Sequence, residues 1–203
     1  MPKGDRSAAT RASLLEAAER AFLRKGLYGA TVREIVEEAG LTVPALYYHF
    51  DGVEELYTVL LEEGQGRFRQ LVEGALAGTT DLRQRLLAIA KAYVEFGREA
   101  PLRLRLFCAE LFRPHEPAEP DRGVEQVSAW VRSVIERVIA EGIARDELAL
   151  DDARLGRRLF LGLLSGLLLE QARDPEIALL DDALAASAVQ SFLDGTATRR
   201  GGA

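Results

Sequence analysis

Apolar residues in this chain recur at steps of three and four, and no stretch alternates apolar with polar, so the α-helix is the regular element on offer. Leu14, Ala17, Ala18, Ala21 and Phe22 draw one stripe, Leu82, Leu86, Ile89, Tyr93 and Phe96 a second, and Val124, Val127, Val131, Val134 and Val138 a third. Gly26 and Gly29 close the first helix, Gly40 the next, and Asp51-Gly52 another. Further helices are expected at about 81–99, 101–112, 121–141, 151–173 and 178–194. The acid pairs Asp151-Asp152 and Asp181-Asp182 fall where helix N-termini need capping groups, which explains them better than a two-carboxylate active site. The expected fold class is all-α.

Composition narrows the function classes. The 203 residues are 48% hydrophobic and 29% charged, which excludes a disordered or collagen-like chain. The longest strongly apolar run, residues 159–169, falls short of the ~20 residues of a membrane span, and MPKGDRSAATRAS lacks a signal-peptide core. A soluble, cytoplasmic protein with no membrane partner is expected. The single cysteine, Cys108, forms no internal disulfide. Two histidines, His49 and His115, and one cysteine leave no zinc pattern, and no phosphate-binding glycine motif follows a strand. No catalytic residue, metal or cofactor is expected. A net charge of -6 means that any contact with a polyanion is local.

Residues 31–50 are the informative stretch. Thr31 and Glu34 have the spacing of a capping box, opening a short helix over about 32–39. Pro44 is tolerated only in a first turn, so the following helix begins at Thr42 or Val43 and ends near Phe50. Two short helices joined at Gly40-Leu41 are a helix-turn-helix, whose second helix enters a DNA major groove. At 100° per residue, Val43, Leu46 and Phe50 share an arc of about 60°, the expected core face. Pro44, Ala45, Tyr48 and His49 lie opposite, with Tyr47 at the margin. Such a face suits a groove, where hydroxyls and imidazole meet phosphates and small apolar groups meet thymine methyls. Packing of Tyr47 and Tyr48 on neighbouring helices is the competing reading.

Over residues 12–60, with GATVREIVEEAGLTVPALYYHFDGVEELY at its heart, the chain resembles the DNA-binding domain of the TetR family of bacterial transcriptional regulators. The matching features are Thr31, Ile35, Gly40, Thr42 and the terminal LYYHF, in order and spacing. The rest resembles the family's variable C-terminal domain in helix layout only. The resemblance implies an all-α, homodimeric regulator, most simply a repressor released from a palindromic double-stranded DNA operator by a small apolar effector. It assigns Thr31, Thr42, Tyr47 and His49 to phosphates, Arg33 to base reading, and Val43, Pro44, Ala45 and Tyr48 to the groove-facing surface. Where family members often carry a phosphate-gripping lysine, this chain has Val53, between Asp51 and Glu54. Through Phe50 seven bases face six acids, so binding is expected to lean on hydroxyls and on Lys3, Arg6 and Arg11 in a flexible arm.

Residues 1–52 are thus expected to read DNA and residues 53–203 to bind effector and a second copy. Phe68, Tyr93, Phe96, Phe107, Phe112 and Trp130 supply aromatic surface for an apolar cavity, and Arg98, Arg103 and Arg105 are available for an acidic head group. Leu155, Leu159, Gly162, Leu163 and Gly166, with Ala185, Ala188 and Val189, suit either a four-helix dimer interface or an intrachain core. Gly64 and Gly66 interrupt the fourth helix, marking either a bend or a close approach. Two other classes fit the same sequence: a helical enzyme acting on an apolar substrate, and an interaction module that no longer binds DNA.

Overall fold

The computed structural model describes residues 3–111, 124–173 and 181–196. The helices run α1 (Lys3–Lys25), α2 (Val32–Ala39), α3 (Val43–His49), α4 (Val53–Leu76), α5 (Leu82–Glu99), α6 (Pro101–Leu111), α7 (Val124–Ala144), α8 (Ala153–Arg173) and α9 (Asp182–Thr196). No strand occurs among the described residues, and no helix there is long and apolar enough to cross a membrane.

Local chemistry sets the ends. The Thr31 hydroxyl accepts from the Glu34 N–H at 3.3 Å while the Glu34 carboxylate accepts from the Thr31 N–H at 3.2 Å, completing the capping box. Gly40 terminates α2 with φ at 65°, a left-handed conformation that a side chain would strain. Asp81, Asp152 and Asp181 accept from Gln84, Arg154 and Leu184 N–H groups at 2.8, 2.9 and 2.7 Å, so the acid pairs cap helices.

Two apolar cores result. The first joins the α1 stripe to Ile35 and Val36 of α2, Leu46 and Phe50 at α3, and Leu56, Tyr57, Leu60 and Leu61 of α4. The second centres on Phe160, fully buried, and gathers α5, α7, α8 and α9 with the later part of α4. Helix α4 therefore belongs to both. From α6, Leu106 enters the first core while Leu104 and Cys108 join the second.

Several expectations change. The N-terminal segment is helical from Lys3, so Lys3, Arg6 and Arg11 ride on α1 rather than on an arm; Thr10 donates back to the Arg6 carbonyl at 2.9 Å within that helix. Ala185, Ala188 and Val189 are buried in the intrachain core, because α9 packs its small residues against α5 and α8. Gly64 and Gly66 lie within one continuous α4. A methyl on Gly64 would meet the Phe96 ring at an ordinary 3.7 Å and one on Gly66 would meet nothing, so close approach does not explain them. A tight glycine lies elsewhere, at Gly156, where an added methyl would stand 2.8 Å from Ile139 Cγ2 and from Leu150 Cδ1.

This contrast has a measurable consequence. Gly66→Ala should stabilise the fold by up to about 1 kcal/mol through helix propensity, whereas Gly156→Ala should destabilise it by about 1–3 kcal/mol through overpacking. Urea unfolding of the two variants, read at constant m-value, checks both signs.

Candidate functional site

Helix α3 presents two unlike faces. Leu46 and Phe50 are sealed in the first core, while Tyr48 is 79% exposed, Tyr47 55% and Val43 40%. Val43 thus leaves the core arc that the helical wheel gave it: it is the first residue of α3, where the helix has only begun to close on the core. Pro44 is exposed beside it, and Ala45 and His49 are half-buried. The Thr42 hydroxyl accepts from the Ala45 N–H at 3.4 Å, capping the helix. The Tyr48 and His49 rings meet edge to face at 4.9 Å. Sequence reading passed over Tyr28, 75% exposed in the turn after α1, since a lone turn aromatic has no periodicity.

Charges around this face are already paired. Glu38 accepts from Arg20 at 2.6 Å and from Arg24; Lys25 pairs with Glu34, and Arg33 with Glu37 at 3.0 Å. Hydrogen bonds from Arg24 and then Arg20 pull the Glu38 carboxyl down to about 2. The Thr31 hydroxyl also donates to Glu34, at 3.1 Å, so it meets a phosphate only by giving up that bond. Val53 is half-buried against the first core.

A second set of charges ties the cores together. Arg103 of α6 lies 3.8 Å from Glu19 on α1 and 3.4 Å from Glu63 on α4, and Arg11 donates to Glu63 at 3.0 Å. The Arg11 guanidinium also sits 5.4 Å over the Phe50 ring at the end of α3. Burial raises the Glu19 carboxyl above its ordinary range and Arg103 partly offsets this. Arg103 is therefore engaged at a junction and does not face an effector cavity. Arg98 is exposed, and Arg105 borders an outer groove with Phe22 and Leu23.

Below the junction, α4 to α8 enclose a mostly apolar cavity of about 110 Å³. Phe68, Tyr93 and Phe96 line it, with Leu104 and Cys108 from α6 and Leu161, Ser165 and Leu168 from α8. Trp130 does not: its ring is turned toward Arg69, whose guanidinium lies 4.8 Å from the ring centre. Phe112 and the Phe107 side chain lie outside the described residues. Three polar lining residues, Gln65, Ser128 and Arg132, escaped the sequence reading because they alternate with apolar positions on α4 and α7. Burial pushes the Cys108 thiol up to about 11, leaving it unreactive near neutrality. On the far side of α8, Leu155 and Leu159 are each 47% exposed and Leu163 40%, with Gly162 and Gly166 exposed among them. Among the described residues no group of three or more potential ligands is placed to hold a metal ion.

Comparison with known proteins fits this layout. Residues 14–60 match the family model for bacterial regulatory proteins, tetR family. The HTH-type transcriptional repressor KstR2 of Mycobacterium tuberculosis is 30% identical over 149 residues, covering 70% of this chain and 72% of that protein. The HTH-type transcriptional activator FasR of Mycolicibacterium smegmatis is 38% identical over 96 residues; that match spans 47% of this chain and 42% of the relative, less than half of either. Among solved structures, KstR2 aligns with a TM-score of 0.76 at 22% identity, over 92% of this chain and 94% of that one. A tetR-family regulatory protein from Rhodococcus RHA1 gives 0.76 at 21%, over 98% and 99%. These two share the fold.

The Glu38 clasp between α1 and α2 makes stability acid-sensitive. Its folded carboxyl is depressed from 4.5 to about 2, so its contribution is present above about pH 4.5 and is lost as pH falls toward 2. Thermal unfolding followed from pH 6 to pH 2 should show a smaller decline for Glu38→Gln than for the parent. Parallel declines would remove Glu38 from the acid response.

Proposed function

The chain belongs to the TetR family of bacterial transcriptional regulators, and on that premise we propose that it is a homodimeric repressor released from a palindromic operator by a small apolar effector. The observation that carries the reading is the exposed face of α3. A short helix that holds Val43, Pro44, Tyr47 and Tyr48 in solvent, while Leu46 and Phe50 anchor it, is built to meet another surface. Its shape and chemistry suit a major groove: Val43, Pro44, Ala45 and Tyr48 toward the bases, and Thr31, Thr42, Tyr47 and His49 toward phosphates. Arg33 reads a base once it leaves Glu37, an exposed pair that costs little to open.

The division of labour follows. Residues 1–52 make the reading head, to which the first half of α4 is fused, and residues 53–203 carry the effector cavity and the dimer surface. Leu155, Leu159 and Leu163, with Gly162 and Gly166 allowing close approach, form an apolar stripe that a second copy buries. Two-fold pairing doubles a contact that is weak singly, because four of the reading head's cations, Arg20, Arg24, Lys25 and Arg33, are paired with its own acids. Repression is favoured over activation because the relative matched over most of its length is a repressor. The site of action is the cytoplasm, where the operator lies.

Substitutions separate the roles. His49→Ala and Tyr47→Phe should each weaken operator binding several-fold on every sequence, because each removes a phosphate partner. Arg33→Ala should instead relax preference at one symmetric pair of positions, by about 1–3 kcal/mol of discrimination. In-vitro sequence selection with the three variants checks this. A changed base preference for His49→Ala or Tyr47→Phe, or an even loss for Arg33→Ala, would reassign those residues.

A further inference from the structure

One arginine of α1 joins the charge junction to the recognition face of α3. Arg11 donates to Glu63 Oε1 at 3.0 Å, and its guanidinium stands 5.4 Å over the centre of the Phe50 ring. The Glu63 carboxylate is shared, its other oxygen lying 3.4 Å from the Arg103 guanidinium on α6. Helices α4 and α6 thus together hold the group that holds Arg11. The arginine is half-buried, as a long side chain is when its stem covers apolar surface while its charged head keeps some water.

Phe50 is where this grip reaches α3. It ends that helix, donating its N–H to the Leu46 carbonyl at 2.8 Å, and its ring is buried in the first core. The Phe50 and His49 ring centres lie 6.4 Å apart, and His49 meets Tyr48 edge to face at 4.9 Å. Rings in contact settle into offset or edge-on arrangements, so fixing one of them restricts the next. A guanidinium tied down by Glu63 and laid over the innermost ring therefore bears on the two outer ones, which belong to the recognition face. A phosphate could take Arg11 only by breaking its bond to Glu63.

Resting on the reading of α3 as the helix that enters the groove, we infer that Arg11 is a positioning residue for DNA recognition: held by Glu63, it packs on Phe50 and sets the rings of Phe50, His49 and Tyr48 without itself touching DNA. An arginine suits this place because its planar head can accept a carboxylate at its edge and lie on a ring with its face.

The test compares Arg11→Gln, Glu63→Gln and the double variant with the parent chain, on a palindrome that the parent selects from random DNA. Removing an acid from a DNA-binding protein ordinarily tightens binding, and removing a phosphate-gripping base lowers the salt slope by about 0.9 per subunit. A positioning role predicts neither. Each single variant should bind about threefold to tenfold more weakly with the parent's salt slope, and the double variant should be no weaker than the worse single one. Active protein is counted by stoichiometric titration, so that partial unfolding is not read as lost affinity. The free protein gives a second readout. The chain has two histidines, so the His49 imidazole signal in a proton NMR spectrum is assigned by its loss in His49→Asn. At one fixed pH that signal should move even in Glu63→Gln, which acts on the rings through Arg11. Tighter binding by Glu63→Gln, a lowered salt slope in Arg11→Gln, or a His49 signal that stays in place would overturn the inference. The two readings fail separately. A parent that selects no palindrome, with His49 still moving in the variants, sinks the DNA reading and leaves Arg11 as the residue that sets the rings, whereas a palindrome bound equally by parent and variants sinks the positioning role alone.

Discussion

The structure hinges on a few residues of α6, Arg103 to Cys108, which serve both cores at once. Leu106 fills the first core, Leu104 and Cys108 face the cavity in the second, and Arg103 pairs with acids on α1 and α4. Without that element the two cores would share only α4. With it, contacts run without a gap from the cavity wall through Arg103 and Glu63 to Arg11, and from Arg11 to Phe50 at the end of α3. A ligand shifts such an arrangement only by favouring one packing over another, and packed side chains give discrete alternatives rather than a continuous drift. Burial raises the Glu19 carboxyl at this junction and Arg103 partly offsets it, whereas Glu63 and Arg11 remain partly open to water.

The second organising fact is how the reading head uses its charges. Arg20, Arg24, Lys25 and Arg33 all face glutamates within the same head, so cations that would grip phosphates instead hold α1 to α2 or span one turn of α2. This ties α2 to α1 and leaves recognition to hydroxyls, rings, small apolar groups and, once it is released from Glu37, Arg33. Val53 fits the same pattern, since a half-buried valine contributes to the first core where a lysine would reach outward. The trade is rigidity of presentation against long-range attraction to the polyanion.

Features governed by a few neighbouring residues were legible in the sequence: the Thr31–Glu34 capping box, the Gly40 turn and the Pro44 start of α3. Features that depend on how one helix is rotated against another were not. Val43 was assigned to the core arc because a wheel treats a helix's first turn like its middle. Ala185, Ala188 and Val189 looked equally fit for an interface within or between chains, since small residues serve close packing in both; α9 resolves this by burying them against α5 and α8. Trp130 was placed in the cavity for its size, yet it faces Arg69. Ser128 follows Val127 and Arg132 follows Val131 on α7, and only the rotation of that helix reveals that they line the cavity.

The central claim is that the exposed face of α3 reads DNA as one of a symmetric pair. Its most direct test is interference footprinting on sequences selected from random DNA, with the guanine N7 of the major groove methylated before binding. The account predicts an enriched palindrome, with interfering guanines in two half-sites centred one helical turn, or a multiple of it, apart. Selection without an enriched sequence, or binding indifferent to methylation in the major groove, would contradict it.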